Sequence, residues 1–459
     1  MNNNSEYEGF REARNRHEEG TLWFPLDNAA KIFPAIQGVR YSTLFRLSAV
    51  LDHPVKLPQL ECALQRVMQR YPYFQVVLGR GVFWYYLERV AAPPAIMPDG
   101  RCPCTRYRLK ARGTYLLRVR VYRRRIAVEF CHVLTDGSGG AMFLQSLITE
   151  YFRQCGVSIS DWGEIPNPDD TPVRGEFRDA NQIVGIEEFP PAVWRSPAYH
   201  ATGQLLPRNE YAVVTGLISV QQLRQYSKNL GVSLTEYLAA VLFWVYQESI
   251  AEQPEKLRRR SQKRPIRILL PVNLRPFYPT KTRRNFFVFV DPEIDLRLGR
   301  YDFEELAQRV HSYMKIEVNK KNLNRHLSRN VASERSWYVR MMPLFVKDII
   351  LKIVYRFWSD RLNTTSLSNI GRLRFPAEIE QHIEWVEFVP PPSPIYGVSV
   401  AAVSHGDVLS VTFGSLLEET EIERRFFRFL RGQGMNVRII SNRGDTRHKS
   451  KEESVCHTV

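Results

Sequence analysis

A run of prolines in the middle of the chain is the sequence feature that most constrains the fold. Seven prolines lie between residues 166 and 207, at Pro166, Pro168, Pro172, Pro190, Pro191, Pro197 and Pro207. Proline lacks a backbone N–H and disrupts helix interiors and inner strands, so this stretch forms no long helix or central strand. The sequence therefore predicts a linker at 171–205 that separates two longer folding units.

The two units are long enough to bury cores of their own. A chain of 459 residues is expected to form two or three domains. We predict an N-terminal lobe at 21–170 and a C-terminal lobe at 206–440, because apolar residues recur at regular spacing within both. Residues 1–20 and 441–459 offer no such pattern, and they are expected to be polar tails.

Both predicted lobes combine helix and strand patterns. In the first, apolar residues at helical spacing predict a helix over 59–70, and a strand is expected at 82–87. In the second, Ser233 and Glu236 form an S-x-x-E pair that predicts a capped helix, and a strand is expected at 383–389. Because these patterns neither alternate strictly nor run all-β, the predicted fold class is α/β (mixed α+β), with two lobes side by side.

Charge and cysteine content exclude several classes of protein. The chain carries 64 Lys and Arg against 48 Asp and Glu, and the net charge of +16 attracts polyanions of any kind. We recognise no nucleic-acid-binding motif among these basic residues, so nucleic acid is not an expected partner.

Six cysteines without a C-x-x-C pair or matching His spacing predict neither a metal site nor a disulfide framework, and they favour a reducing, cytoplasmic compartment.

No segment is expected to cross a membrane. The N-terminal sequence lacks the basic start and apolar core of a secretory signal. The most apolar stretch, 341–358, is interrupted by Lys347, Asp348, Lys352 and Arg356, which a spanning helix tolerates poorly.

The same stretch has features of a helix that lies on a membrane surface. Trp337, Phe345, Phe357 and Trp358 are interleaved with Arg and Lys over 336–358, so peripheral membrane contact is one hypothesis. The simpler interpretation is a core helix, because most amphipathic helices face a protein core.

The residues that stand out chemically lie at 125–147, RIAVEFCHVLTDGSGGAMFLQSL. A predicted strand delivers His132, and a glycine-rich turn delivers Asp136 and Gly137 before a helix begins. A histidine followed four positions later by an aspartate is common by chance, and a lone histidine on a strand is more often packed than catalytic. The small residues around the turn favour the catalytic interpretation, because they let a substrate approach the imidazole closely.

Other chemistries at this segment have less support. Cys131 precedes His132, but adjacent strand residues point to opposite faces, so we expect Cys131 to be a core residue. The glycines at 137–140 lack the spacing of a phosphate-binding loop. The chain contains no G-x-S-x-G sequence, which disfavours a serine esterase.

Three stretches, in this order, resemble one acyltransferase superfamily. HVLTDG at 132–137 resembles the HxxxDG motif of the superfamily that includes chloramphenicol acetyltransferase, alcohol acetyltransferases, wax ester synthases and condensation domains. PVNLRPFYPTKTRRNFFVFV at 271–290 resembles its arginine-bearing strand with the N-F-x segment, and SLSNIG at 366–371 resembles its S-N-x-G segment. The resemblance spans about residues 22–432 and implies two chloramphenicol-acetyltransferase-like lobes that meet at an interlobe tunnel.

The resemblance also implies roles for individual residues. His132 would be the general base, and Asp136 would be a structural support that pairs with Arg275. Gly137 would leave space and a backbone N–H beside the reacting centre. Ser368 and Asn369 would supply polar contacts near the tetrahedral intermediate.

The function implied is transfer of a short acyl group, acetyl-like, from a coenzyme A thioester to a small alcohol without a covalent enzyme intermediate. Acyl-CoA would be a co-substrate, and no permanently bound cofactor is expected. Cys131 stands where many condensation domains and wax ester synthases have a first histidine, which favours the alcohol acetyltransferases.

Two alternatives remain open at this point. The first is a stand-alone condensation-type enzyme that uses an acyl carrier protein thioester or an amine acceptor. The second is a non-catalytic binding or scaffold protein that retains the fold. A monomer is expected in each case.

Overall fold

The structure is a computed structural model that describes residues 23–38, 40–182, 195–335, 339, 341–358 and 360–443. Within these residues the predicted linker contains no long helix or strand, only short 3₁₀ turns at Arg174–Phe177 and Ala180–Gln182 and an isolated β-bridge at Leu205. The predicted tail at 1–20 lies outside the described residues, as do 444–459 of the C-terminal tail.

The first half of the chain supplies most of one sheet and a small second one. Its strands are β1 Trp23–Pro25, β2 Leu44–Leu51, β3 Val76–Arg80, β4 Tyr85–Arg89, β5 Ile96–Pro98, β6 Leu117–Tyr122 and β7 Arg125–Cys131. β2, β7, β6 and β5 lie side by side in the larger sheet, and β1, β4 and β3 form the smaller one. The strand expected at 82–87 is therefore displaced, because residues 81–84 turn the β3–β4 hairpin.

The second half of the chain builds an eight-stranded sheet. Its strands are β8 Ala212–Ser219, β9 Ile266–Asn273, β10 Phe287–Val290, β11 Glu293–Ile294, β12 Thr365–Arg372, β13 Ile383–Val389, β14 Val398–His405, β15 Val408–Ser415 and β16 Val437–Ser441. All except β13 belong to this sheet, in the order β10-β9-β12-β14-β15-β8-β16 with β11 beside β9. Gly406 and Asp407 form the β14–β15 hairpin turn.

Strand β13 corrects the prediction of a second lobe continuous over 206–440. β13 pairs antiparallel with β2, so Val386 lies opposite Ala49 in the sheet of the first lobe. Val386 and Phe388 are buried in the core of that lobe. A strand pattern records which residues are buried but not which sheet buries them, so the sequence offered no sign of this exchange.

The helices cover the sheets and enclose two main cores. Apart from the short helices Phe33–Ile36 and Ala377–Glu380, they are α1 Leu57–Arg70, α2 Gly137–Gln154, α3 Val220–Asn229, α4 Leu234–Ala251, α5 Glu255–Ser261, α6 Phe303–Glu317, α7 Lys320–Arg335, α8 Leu344–Trp358 and α9 Glu421–Gly432. α1 and α2 pack in the first core, and α4, α6 and α9 pack in the second. The predicted capping box is present, because Ser233 accepts from Glu236 N and the Glu236 carboxylate accepts from Ser233 N. The result is two mixed α/β lobes.

Among the described residues, none of the helices is by itself long and apolar enough to span a membrane. Helices α3 and α4, which meet at an angle of 80°, satisfy the length and composition test only when they are taken together.

Candidate active site

His132 lies immediately after β7, where the chain turns from the first sheet toward α2. Its backbone N–H donates to Thr43 O at 2.9 Å, which continues the β2–β7 ladder by one residue. The imidazole stacks on Phe33, with ring centroids 5.0 Å apart, and lies 4.7 Å from the ring of Phe45. Aromatic rings thus flank the imidazole, and the side chain is half-buried.

The two ring nitrogens of His132 have different surroundings. Nδ1 is enclosed and has no hydrogen-bond partner among the described residues. Nε2 is not among these enclosed, unpartnered atoms, so it is the candidate nitrogen for proton exchange with a substrate. Burial lowers the pKa of His132 to about 4, and the negative charge of Asp136 and the Asn285 side chain oppose this shift only in part. At pH 7 the imidazole is neutral, which is the form that a general base requires.

Asn285 connects His132 to a buried ion pair. Its Nδ2 donates to His132 O at 2.8 Å and to the Asp27 carboxylate at 3.1 Å. Asp27 in turn lies 3.3 Å from Arg284 Nε, and burial raises the pKa of Asp27 to about 6 against the lowering effect of Arg284. Asn285 Oδ1 is buried without a partner in the described part of the chain, as is His132 Nδ1. With the imidazole proton on Nδ1, these two atoms form a complementary acceptor and donor within one cluster.

Asp136 is engaged by four donors from both halves of the chain. It is the N-cap of α2, and its Oδ1 accepts from Gly139 N at 2.9 Å. Its Oδ2 accepts from Phe286 N and from Arg275 Nη1, both at 2.9 Å, and Arg275 Nη2 donates to Oδ1 at 3.2 Å. The ion pair that the resemblance implied is present, and it links α2 to the β9–β10 loop of the second lobe.

Arg275 is itself held in place by backbone carbonyls. Its Nε donates to Thr282 O at 2.9 Å, and its Nη2 donates to Arg284 O at 2.6 Å. The planar guanidinium thus joins one carboxylate to two carbonyls of the loop, a set of contacts that a lysine ammonium cannot reproduce.

The glycines at the start of α2 allow close approach of the second lobe. A Cβ at Gly137 would lie 2.7 Å from Ile370 Cγ2, on β12. A Cβ at Gly139 would lie 2.1 Å from the backbone oxygen of Arg283. Close packing against Ile370 therefore explains the absence of a side chain at Gly137. This is in addition to the role beside the reacting centre that the resemblance implies.

Ser368 and Asn369 lie on opposite faces of β12. Ser368 pairs in register with Ala401, which belongs to the core of the first lobe, and Asn369 pairs with Ala402, which belongs to the core of the second. Asn369 Nδ2 donates to Thr235 Oγ1 at 2.9 Å, and Asn369 Oδ1 accepts from Gly371 N at 2.9 Å. Asn369 thus has a structural contact to α4, and Ser368 is the one of the two on the face toward α2.

Two other side chains near the site, those of Cys131 and Arg284, are buried. Cys131 is fully buried, as predicted, and burial raises the pKa of its thiol to about 11. Arg284, which follows Arg283 in a basic pair, is buried against Asp27.

One cluster of metal-ligating residue types occurs in the described part of the chain, at Asp52, His53 and His382. Both imidazoles contact the Asp52 carboxylate through Nδ1. The cluster lies beyond the end of β2 that is remote from His132, so it is separate from the candidate active site.

Comparison with solved structures identifies the architecture. No family model matches the sequence, and no curated protein matches it significantly. TRI101 of Fusarium sporotrichioides, solved with coenzyme A and T-2, matches with a TM-score of 0.60 at 11% identity over 92% of this chain and 100% of that one. The chain has a two-lobed chloramphenicol acetyltransferase-like fold.

Two further structures support this fold. Polyketide synthase associated protein 5 from Mycobacterium tuberculosis has a TM-score of 0.58 at 14% identity, over 89% of this chain and 96% of that one. The starter condensation domain of rhizomide synthetase RzmA, in a mutant complexed with C8-CoA, has a TM-score of 0.56 at 14% identity, over 90% and 94%. Coenzyme A or an acyl-CoA is thus present in two of these three structures.

Several residues at the site were not assigned from the sequence. Phe33, Phe45 and Asp27 reach His132 or its partner Asn285 from segments far away in the chain. Asn285 lies in the N-F-x segment that the resemblance includes, but its contact with His132 was not anticipated. Only the capping position of Asp136 has a local signal, because an aspartate before a glycine-rich helix start is a common N-cap.

Proposed function

We propose that the protein is an acyltransferase that moves an acyl group from a coenzyme A thioester to the hydroxyl of an alcohol. The observation that carries the proposal is the neutral, half-buried imidazole of His132 at the junction of α2 and the second lobe. The likeness of fold to proteins solved with coenzyme A or C8-CoA supports the choice of donor.

The proposed reaction needs one base and no covalent intermediate. Nε2 of His132 takes the proton from the acceptor hydroxyl as its oxygen attacks the thioester carbonyl carbon. The tetrahedral intermediate then collapses, the C–S bond breaks, and the thiolate of coenzyme A takes the proton back from the imidazolium. The products are an ester and coenzyme A, and the enzyme is unchanged. Cys131, the adjacent thiol, is buried in the core, which disfavours a thioester intermediate on the protein.

The other proposed roles follow from the contacts at the site. Asp136 and Arg275 keep the start of α2 against the second lobe, and Gly137 leaves room for it. Ser368 is the proposed hydroxyl donor to the oxyanion, because its face of β12 is turned toward α2. An interlobe tunnel that admits donor and acceptor from opposite sides stays a prediction.

The test is an acyl-transfer assay with the purified full chain. Acetyl-CoA and longer acyl-CoAs are offered with a panel of alcohols, and both released thiol and new ester are measured. His132→Ala should reduce turnover by about 10²–10⁴-fold, the range typical for loss of a general base. His53→Ala is the matched control, because His53 lies at the opposite end of β2 and should retain full activity.

Each outcome bears on one part of the proposal. Unchanged ester formation in His132→Ala would contradict the assignment of the base. Transfer only from a loaded acyl carrier protein, or only to amines, would replace the proposed donor or acceptor and favour a condensation-type enzyme. No transfer from any thioester would favour the scaffold alternative.

A further inference from the structure

Helix α8 presents its apolar face to solvent instead of to the core. Phe345, Ile349 and Ile353 recur every four residues and are 60%, 58% and 51% exposed, and Ile350 beside them is 41% exposed. The opposite face of α8 carries Leu344, Lys347 and Asp348. The interpretation of this segment as an ordinary core helix is therefore wrong, because such a helix buries its apolar stripe.

Polar contacts on the inward face fix this orientation. Lys347 Nζ donates to Phe83 O at 2.8 Å and lies 3.4 Å from the ring centroid of Trp84. The Asp348 carboxylate accepts from Tyr85 OH at 2.7 Å and from Lys110 Nζ at 2.8 Å. Rotating α8 to bury its isoleucines would break these contacts and leave the charges of Lys347 and Asp348 without them.

The tip of the β3–β4 hairpin extends the exposed apolar surface. Leu344 N donates to Val82 O at 2.9 Å, which holds the hairpin tip at the start of α8. We define the apolar face as eight side chains that are between 38% and 72% exposed: Val82, Phe83, Met341, Phe345, Ile349, Ile350, Ile353 and Val354. Monomeric proteins rarely expose a contiguous group of large apolar side chains of this size, and such groups mark sites of interaction.

Cations border the apolar face. In the segment 105–114, TRYRLKARGT, the side chains of Arg106, Arg108, Lys110 and Arg112 are exposed, whereas Tyr107 and Leu109 between them are buried. The contact from Lys110 to Asp348 holds this segment beside α8. Asp348 is the one acidic residue within 105–114 and 341–355, and it is paired. We call the four exposed cations the basic border.

We propose that the apolar face and the basic border together bind the surface of a lipid bilayer that contains anionic headgroups. Apolar side chains on one face of a helix insert at the boundary between headgroups and acyl chains, and Lys or Arg beside them contact anionic lipid. A partner protein would need an apolar surface with matching acidic groups, whereas an anionic bilayer supplies both. Lys352, exposed on the same side of α8, adds a fifth cation to this surface.

The position of α8 places this surface beside the candidate active site. α8 packs on the short helix Phe33–Ile36, and Phe33 stacks on His132. Docking itself does not depend on the activity of His132. His132→Ala should therefore bind vesicles as the unmodified chain does, which separates this proposal from the proposed function.

The experiment is vesicle co-sedimentation with the purified full chain. Vesicles of equal parts phosphatidylcholine and phosphatidylserine are compared with vesicles of phosphatidylcholine alone. The chain should bind the mixed vesicles more tightly, and added salt should weaken that binding because exposed charges are screened. Absence of binding to the mixed vesicles would overturn the proposal.

Substitutions separate the two parts of the surface. Ile349→Ser and Ile353→Ser should each weaken binding to the mixed vesicles by about tenfold, as expected for loss of one inserted apolar side chain. Arg108→Gln and Arg112→Gln should each weaken it by about fivefold, with no effect on pure phosphatidylcholine. Leu298→Ser is the matched control, because Leu298 is 75% exposed in the second lobe, outside the apolar face. Equal binding by all these variants would contradict the proposal.

Two other occupants of the apolar face give distinct results. If a second copy of the chain covers it, light scattering will show a dimer that Ile349→Ser converts to a monomer, without vesicle binding. If residues 1–20 cover it, vesicle binding will appear only after their deletion. Either result would overturn bilayer docking by the full chain.

Discussion

His132 combines a neutral imidazole with an enclosed Nδ1, and both properties follow from its surroundings. Phe33 and Phe45 remove water from the ring, which disfavours the imidazolium and lowers the pKa to about 4. A base of this kind is fully deprotonated at neutral pH, but it binds a proton more weakly than a histidine in water does.

The lowered pKa predicts the pH dependence of the proposed reaction. Because the free enzyme loses its base only as His132 becomes protonated, kcat/KM should stay level from pH 7 to about pH 5 and fall toward a pKa of about 4. An acid limb near the ordinary histidine value of about 6.5 would contradict this prediction. Far-ultraviolet circular dichroism over the same range would show whether the fold is retained.

Asn285 is predicted to be a positioning residue for His132. Its Nδ2 donates to His132 O, and its Oδ1 and His132 Nδ1 are both enclosed without a partner in the described residues, so Asn285→Ala should reduce kcat by about tenfold or more while KM changes little. The acid limb of kcat/KM should move to lower pH, because the Asn285 side chain favours the imidazolium.

The control for Asn285→Ala is Asn319→Ala, which removes a side-chain amide that caps α7 far from the site in sequence. A change in KM alone, or an acid limb that does not move, would indicate that Asn285 acts only through the stability of the fold.

At the scale of the element, α2 shows which part of the site the sequence predicts. The N-cap Asp136, the glycines after it and the apolar residues of the helix lie close together in sequence, so their spacing predicts a helix start at the right place. The wall of the site does not follow from spacing. Phe33 and Ile370 reach it from other elements, and only the tertiary fold determines that they meet there.

Helix α8 and strand β13 also show that the sequence predicts an element but not its tertiary partners. Both were predicted as elements, and β13 has the predicted bounds of 383–389. The sequence did not reveal that β13 pairs with β2, and it left open whether α8 faces the core or lies on a surface, because both depend on partners distant in the chain. Trp337 and the side chains of Phe357 and Trp358, which motivated the membrane hypothesis, lie outside the described residues.

The start of α2 is predicted to tolerate no side chain at Gly139. A Cβ there would lie 2.1 Å from the Arg283 backbone oxygen, so Gly139→Ala must displace the helix or the loop. We expect the free energy of unfolding to fall by about 1–3 kcal/mol, measured by urea denaturation. Gly432→Ala, at the end of α9, is the control and should not be destabilising, because a Cβ there would meet nothing within 4 Å. Equal stability of the two variants would show that the contact relaxes at little cost.

At the scale of the whole molecule, two of the contacts between the lobes bear most directly on the geometry of the site. β13 carries a segment of the second half into the first sheet, and the Asp136–Arg275 pair fastens α2 to the β9–β10 loop. His132 follows β7, which pairs with the same strand β2 as β13 does, and it precedes Asp136 by four residues. The relative position of the lobes and the geometry at His132 are therefore coupled.

The coupling predicts different results for Asp136, Arg275 and His132. Removing one partner of a buried ion pair leaves the other charge uncompensated, at about 3–5 kcal/mol, so Asp136→Ala should lose stability and activity together. Arg275→Lys should also be damaging, because the ammonium cannot contact the carboxylate and two carbonyls at once. His132→Ala should lose activity alone.

A double-mutant cycle tests whether Asp136 and Arg275 act as one unit. If they do, the combined variant Asp136→Ala with Arg275→Ala should lose less free energy of unfolding than the sum of the single variants, by about 0.5–3 kcal/mol. Asp136→Ala should still be the costlier single change, because it also removes the acceptor for Gly139 N and Phe286 N. Urea denaturation of the four proteins supplies the cycle. Strictly additive losses would show that the pair does not fasten the lobes, and Asp136 would then have to act on His132 through its charge.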